Sequence, residues 1–459
     1  MKIVIVGAGK VGKTIGVKLT AEEHDVVLID SDAAVLERSA NEMDAICMEG
    51  NGADYRVQRE AGVAQADLLI AVTAHDEVNM ICCLIAHKLG AKRTIARIRD
   101  PEYAAQLDFL KDELGLSMSI NPDQAASDDI ARLLRIPSAL NVEFFARGRV
   151  ELVELRLNPG NPLVDLPLVD IYKKFQIKIL VCAVQRGESV FIPKGDFVLQ
   201  AGDKLHVSAS PEDMSRFLRM AYPGKQRKVR TVMICGGSRI AYYLARSLEK
   251  VGIQVKIIEN NPARAKQLSE DLPQALVIHG DSTDHELLIE EGIENVDAFV
   301  ALTGIDENNI ISGLFAKWKR AHSVIVKVNN ENLLGVLPDS SLDAIISPKQ
   351  LTANKILTFV RAMSSSPEDS NVETVHELVG GRIEALEFNA KGSHPMYGVP
   401  LKDLNRHLHN DLLIACLVRH GKTIVPSGSD SIHSGDRVII VTKHKMFNDL
   451  SEILTTPLS

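Results

Sequence analysis

The chain of 459 residues is poor in aromatics, which make up 4% of it and include a single tryptophan, Trp318. Its cores must therefore be built from Val, Ile, Leu and Ala, as parallel α/β sheets favour. Positive charge is also short: 52 Lys and Arg stand against 60 Asp and Glu, for a formal net charge of −8. That removes the basic footprint of a nucleic-acid binder, and no nucleic-acid partner is expected. The longest apolar runs, such as Met80–Ala86, fall far short of the roughly 18 residues of a membrane helix. Met1 leads straight into the strand Ile3–Val6, so no secretory leader and a cytoplasmic location are expected. The six cysteines (Cys47, Cys82, Cys83, Cys182, Cys235, Cys416) have apolar neighbours and no metal-ligand spacing. They read as buried reduced thiols.

What is present is a duplication. The strand-turn-helix Ile3–Leu19 recurs as Val232–Leu248, and Val26–Asp30 recurs as Val255–Glu259. Asp67–Thr73 recurs as Asp297–Thr303, and Asp76-Glu77-x-Asn79 as Asp306-Glu307-x-Asn309. A second segment is repeated too: Pro162, Pro167-Leu168 and Gly202-Asp203 match Pro395, Pro400-Leu401 and Gly435-Asp436. Matched blocks in matched order give the organisation A-B-A′-B′. Segment A alternates short Val/Ile runs (2–6, 25–29, 45–48, 67–71, 93–98, 117–120) with helical patterns, which implies a doubly wound parallel sheet. Segment B reads as a small α+β domain of two βαβ-like halves, with Pro193 and Gly195 marking a hairpin. The fold class is thus α/β, with two Rossmann-like parallel-sheet domains, each followed by a small α+β domain. Tyr222–Arg230 reads as a solvated tether, and Ser364–Asn371 as a flexible loop.

Gly7-Ala8-Gly9-Lys10-Val11-Gly12 follows an apolar strand and opens a helix. This is the context in which such a turn binds a dinucleotide. Gly7 permits the tight turn, Gly9 lets backbone approach a pyrophosphate, and Gly12 lets helix pack on strand. Free N–H groups and the helix dipole favour the phosphate charge. Asp30 ends the second strand, where a carboxylate accepts from ribose hydroxyls and repels a 2′-phosphate. NAD(H) is expected over NADP(H), with ATP and ADP left open. Asn51, Thr73-Ala74, Arg97 and Arg99 fall at strand ends, where such sheets bind ligands. Asn51 is expected near the adenosine, Thr73-Ala74 against the pyrophosphate or second ribose, and an arginine on a phosphate. A salt bridge is the alternative for the arginines.

The second copy is altered. Gly236-Gly237-Ser238-Arg239-Ile240-Ala241 keeps the first glycine but puts Ser238 at the middle position. Glu259 replaces Asp30, Asp281 replaces Asn51, and Thr303-Gly304 and Lys327 stand for Thr73-Ala74 and Arg97. This half binds a nucleotide with changed preference or is a structural copy. No catalytic constellation repeats in the B segments. Asp76-Glu77 and Asp306-Glu307 could serve as general bases, but more simply they are acids complementing a helix dipole. His407 and His409 do not form a convincing metal pair. A regulatory protein is expected rather than an enzyme, the alternative being an NAD-dependent oxidoreductase with a duplicated cofactor domain.

The GAGKVG turn, the DLLIAVT strand, the paired Asp-Glu-x-Asn helix starts and the late Gly-Asp turns resemble the RCK (KTN) family, which regulates potassium conductance. The resemblance covers nearly the whole chain. It implies Rossmann parts assembled in a ring of eight, hence a homotetramer, on the cytoplasmic face of a potassium-conducting membrane subunit. It implies that the helix after each sixth strand (Asp123–Leu134 and the segment from Lys349) crosses to a neighbouring Rossmann part. The expected divisions are 1–123 and 232–348 for the Rossmann parts, 124–138 and 349–371 for the crossing segments, 223–231 for the linker, and 139–222 and 372–456 for the C-terminal parts. Binding roles carry over onto Gly7–Val11, Asp30, Thr73-Ala74 and Arg97-Ile98, and in the second half onto Gly236–Ile240, Glu259 and Thr303-Gly304.

Overall fold

The structure, a computed structural model, describes residues 1–136, 139–222, 228–330, 333, 342–364, 372–443, 447 and 449–456. Most of the tether and the loop predicted from the sequence, residues 223–227 and 365–371, lie outside the described residues. The first sheet contains β1 (Lys2–Val6), β2 (Asp25–Asp30), β3 (Ile46–Glu49), β4 (Leu68–Ala71), β5 (Thr94–Arg97) and β6 (Met118–Ile120). Its order is β3-β2-β1-β4-β5-β6, parallel throughout. Helices cover both faces, so Ile3–Val6 and Leu68–Ala71 are buried along their whole length. The order reverses between β1 and β4, which opens a crevice at their C-terminal ends.

The second sheet contains β7 (Ala139–Phe145), β8 (Val150–Arg156), β9 (Leu180–Arg186), β10 (Ser189–Phe191) and β11 (Lys204–Ala209). Its order is β10-β9-β11-β8-β7, with every pair antiparallel. This corrects the expectation of two βαβ-like halves. Only β8, helix Leu168–Phe175 and β9 make a β-α-β path, and β11 is inserted between the two strands. The hairpin is also elsewhere. Arg186 pairs with Ser189, so Gly187-Glu188 form the turn, with Gly187 at φ 57°. Such two-residue turns need positive φ, which glycine takes without strain. Pro193 and Gly195 follow β10 instead.

The second half repeats both sheets. β12 (Thr231–Cys235), β13 (Gln254–Glu259), β14 (Leu276–His279), β15 (Ala298–Ala301), β16 (Ser323–Lys327) and β17 (Ala344–Ile346) form a parallel sheet ordered β14-β13-β12-β15-β16-β17. β18 (Val372–Leu378), β19 (Ile383–Asn389), β20 (Leu412–Arg419), β21 (Lys422–Ile424) and β22 (Arg437–Thr442) form an antiparallel sheet ordered β18-β19-β22-β20-β21.

The halves are joined by a reciprocal exchange of helices. Helix Pro122–Arg135 leaves the first parallel sheet and packs on helix Arg239–Glu249 of the second. Ala126, Ile130 and Leu134 share one core with Ile240, Ala241 and Leu244. Helix Pro348–Ser364 returns the contact, setting Ala353, Ile356 and Val360 against Ile15 and Leu19. The alanines let the helix axes approach, and the leucines and isoleucines fill the grooves. Ion pairs frame the second crossing. Arg361 bridges Glu22 and Glu384, the latter at 2.9 Å, and Lys18 meets Glu377 at 2.6 Å. The two antiparallel sheets also face each other, with Phe145, Leu152 and Cys182 against Ile383, Ala415 and Ile439. Where β7 meets β18, Glu143 and His376 pair at 2.8 Å.

Two outcomes follow from this packing. Leu244 is fully buried under the crossing helix, so Leu244→Ala should lower stability by about 2–5 kcal/mol in urea unfolding. For His376, burial opposes the charged form, but the Glu143 carboxylate more than offsets it and holds the pKa above the ordinary 6.5. A raised pKa gives stability that is complete below 6.5 and is lost as pH rises through the folded value. The urea midpoint of the wild type should therefore fall as pH rises above 6.5. His376→Gln should flatten that slope.

Candidate functional site

The crevice at the reversal of the first sheet is a cavity of about 790 Å³ lined by Gly7, Gly9, Lys10, Val11, Asp30, Asn51, Thr73, Ala74, Arg97 and Arg99. The three glycines meet different demands. Gly7 has φ 103°, and a Cβ there would lie 2.9 Å from the Thr73 nitrogen. At Gly12 a Cβ would lie 1.8 Å from the Gly7 carbonyl oxygen, so helix and turn could not close. Gly9 is different. Its φ is −65°, open to any residue, and a Cβ would meet no protein atom within 4 Å. What Gly9 preserves is space in the cavity, at the N-terminus of helix Lys10–Ala21.

Asp30 holds the turn from beneath. Its Oδ2 accepts from the Ala8 N–H at 2.6 Å and its Oδ1 from the Asp32 N–H at 3.0 Å. Each carboxylate oxygen has a second lone pair, which leaves acceptor capacity toward the cavity. Asn51 also lines it, with Oδ1 accepting from Ala53 N–H at 3.0 Å. The Arg97 guanidinium donates to the Thr73 carbonyl, and Arg99 donates to the Ala74 carbonyl at 2.6 Å. The Nε atoms of both arginines are buried without a hydrogen-bond partner. Burial, then the charge of Arg99, pushes the Arg97 pKa down. An anion in the cavity would relieve both costs. Arg99 is ion-paired with Asp76 at 3.8 Å, the salt bridge that was its alternative, so Arg97 is the arginine left short of negative charge. This cradle of free N–H groups, an open glycine and Arg97 fits a pyrophosphate.

Three sequence candidates fall outside the cavity lining. Ala8 and Ile98 are buried in the cores beneath, because their side chains point to the sheet's packed faces. Gly12 closes the helix on the turn rather than facing ligand. One residue was passed over. Asn79 accepts from the Thr73 N–H at 2.8 Å and donates to the Arg97 carbonyl at 2.9 Å, clamping the ends of β4 and β5. Asn309 does the same for Thr303 and Lys327, at 2.8 and 3.0 Å. The repeated Asp-Glu-x-Asn was the available signal. Asp76 and Asp306 also have a specific task. Asp76 accepts the N–H groups of Arg99 and Asp100, at 2.7 and 2.8 Å, and Asp306 those of Asn329 and Asn330, at 2.8 and 2.9 Å. They fix the loop after the fifth strand of each sheet.

The second Gly-rich turn keeps the backbone and changes the surface. Gly236 has φ 96°, and a Cβ there would lie 2.8 Å from the Thr303 nitrogen. Ser238 has φ −64° and caps its helix by accepting from Ala241 N–H at 3.4 Å. Glu259 accepts from the Gly237 and Asn261 N–H groups, as Asp30 does in the first half. Gly237 itself is crowded, since a Cβ would meet Leu268 at 2.4 Å, and Arg264 donates to its carbonyl at 2.8 Å. Arg239 lines a different cavity, with Asp100 and Glu102 of the first half, and Ile240 is buried under the crossing helix. Burial lowers the Lys327 pKa, with Asp306 and Asp123 opposing. At Gly304 a Cβ would meet nothing within 4 Å. Asp281 is engaged by Thr283, whose N–H and hydroxyl both donate at 2.8 Å.

Among the described residues no three His, Cys, Asp or Glu side chains gather as a metal site. His407 hydrogen-bonds Thr456 at 2.9 Å. All six cysteines are free, and burial raises the Cys82 thiol to about 12, far from a nucleophile. No helix of the described residues is long and apolar enough to cross a membrane.

The chain matches the TrkA-N domain family over residues 3–122 and 232–348, and the TrkA-C domain family over 152–221 and 386–455. It belongs to the TrkA family. The Trk system potassium uptake protein TrkA of Halomonas elongata is 37% identical over 450 residues, covering 96% of this chain and 95% of that protein. A TrkA homolog of Archaeoglobus fulgidus is 33% identical over 454 residues, covering 99% of this chain and 100% of that protein. In fold, the GsuK RCK domain aligns with a TM-score of 0.62 at 17% identity, covering 96% of this chain and 92% of that one. The GsuK channel bound to NAD aligns equally well, covering 98% of this chain and 78% of that one. The expected kinship and two-domain alternation are thereby met.

The two turns predict a contrast in stability. Gly9→Ser places a good N-cap residue on a backbone that already carries serine in the second copy, so the urea midpoint should hold within about 0.5 kcal/mol. Gly7→Ser should cost about 1–3 kcal/mol through its positive φ and the Thr73 clash.

Proposed function

We propose that this chain is a cytosolic regulatory subunit of potassium uptake that senses NAD(H) in the first cavity. The observation that carries the reading is the cavity's place in the molecule. It opens at the N-terminus of helix Lys10–Ala21, whose C-terminal end is tied to the second antiparallel sheet and the crossing helix through Lys18–Glu377 and Glu22–Arg361. A ligand that changes the position of one end of this helix moves the other. Gly7, Gly9, Lys10 and Val11 would hold the pyrophosphate, Asp30 a ribose, Asn51 the adenosine, and Thr73 and Ala74 the second ribose, with Arg97 on phosphate charge. The bound dinucleotide acts as an effector in this reading, and the chain as a regulator rather than an enzyme. The Trk relatives are potassium uptake proteins, which supports a potassium-conducting membrane partner of the TrkH/TrkG kind. Four chains in a ring on the cytoplasmic face of that partner would give eight Rossmann parts. The second turn, with Ser238 and Arg264 in place, binds a nucleotide with changed preference or is a structural copy.

A ligand shifts an equilibrium only by its difference in affinity for the two states. Competitive equilibrium dialysis of NADH, NAD, ATP and ADP should show saturable binding that Gly9→Val abolishes, because the valine fills the space that Gly9 leaves. Unchanged NADH affinity in Gly9→Val would put the site elsewhere. Small-angle scattering should change on saturation with the bound nucleotide, and an identical curve would remove the gating role. Copurification with a potassium-conducting membrane protein supports the subunit reading, whereas turnover of NADH with a carbonyl substrate supports an oxidoreductase.

A further inference from the structure

The duplication relates the two antiparallel sheets position by position, and at one place the halves differ. On β19, Glu387 accepts the Ala146 N–H from the β7–β8 turn at 2.9 Å and pairs with Arg437 at 2.6 Å. The equivalents in the other half are Glu154, Val379 and Lys204. There Glu154 makes neither contact. Glu154 and Lys204 line a cavity of about 440 Å³, with the turn residues Val379 and Gly380 across from them. The Glu154 carboxylate has no hydrogen bond or ion pair among the described residues.

His206 lines the same cavity, where the other half has the apolar Ile439. The side chain is 2% exposed and its Nε2 has no hydrogen-bond partner. Burial holds its pKa below the ordinary value, so the ring is neutral at pH 7, against the pull of Glu154. A buried imidazole nitrogen without a partner is destabilising unless something fills the role. On the other wall Arg382 donates to the carbonyls of Val379 and Glu188, so its charge meets no carboxylate there. Glu377, also on the lining, is held by Lys18. A simple anion here meets Glu154, and a simple cation meets Arg382. A molecule with both charges satisfies both walls.

We propose that this cavity between the two C-terminal sheets binds a small zwitterion of the neutral α-amino-acid class, its ammonium toward Glu154 and His206 and its carboxylate toward Arg382. The site is separate from the dinucleotide cavity and does not depend on that reading. Isothermal titration of the full chain with single neutral α-amino acids, from glycine to L-glutamine, tests it, with succinate and putrescine as singly signed controls. One saturable site per chain for a zwitterion is expected below about 10 mM. His206→Ile, which copies Ile439, and Glu154→Gln should each weaken it roughly tenfold or more. The urea midpoint of each variant reports folding, and if His206→Ile fails to fold, Glu154→Gln decides. Absence of saturable binding by every amino acid overturns the proposal. So does equal binding of succinate or putrescine, or unchanged affinity in the folded variants.

Discussion

The two halves are held in one body by the exchange of helices after each sixth strand. Ala126, Ile130 and Leu134 bury against Ile240, Ala241 and Leu244, and Ala353, Ile356 and Val360 bury against Ile15 and Leu19. Neither parallel sheet can keep its outer helix covered without the other half. Apolar burial of this kind is non-directional. Direction comes from the ion pairs at the rim of the second crossing, where Arg361 ties Glu22 to Glu384 and Lys18 ties helix Lys10–Ala21 to Glu377. Glu384 is 1% exposed, so removing Arg361 alone would strand a buried charge.

Duplication gave two copies of the same scaffold, and their difference lies in the surface each presents. The clamp of Asn79 on Thr73 and Arg97 reappears as Asn309 on Thr303 and Lys327, with distances matching within 0.1 Å. The carboxylate beneath the turn reappears as well. What changes is what faces the crevice: an open Gly9 against a capping Ser238, and a crowded Gly237 spanned by Arg264. The same divergence marks the antiparallel sheets. Glu387 is fully engaged and Glu154 is not.

Much of the parallel architecture was legible because apolar runs of four to six residues cannot sit anywhere but between covered faces. The strands near 2–6, 67–71 and 117–120 and the helix Asp76–Leu89 fall where the patterning puts them. The antiparallel sheets were harder. β7, with its mixed Ala139–Phe145, and the three-residue β10 carry no clean alternation, because part of their surface is covered by neighbours distant in sequence. Pro193 and Gly195 drew the hairpin away from Gly187-Glu188 for want of any cue to pairing. The resemblance carries a binding role onto Arg97-Ile98 as a pair, yet successive residues of an extended chain point to opposite faces, and Ile98 is buried in the core.

The sequence by itself determined the repeat, the parallel sheets, the turn at Gly7 and the carboxylates beneath both turns. These depend on local chemistry: φ freedom, strand periodicity and spacing along one chain. Only the tertiary structure decided which partner each crossing helix covers, that Asn79 clamps two strand ends, that Ala8, Gly12 and Ile98 serve packing rather than the cavity lining, and that Glu154 stands open where Glu387 is closed. Those facts join residues up to hundreds of positions apart, and the energies that choose among them come from surfaces that meet only after folding.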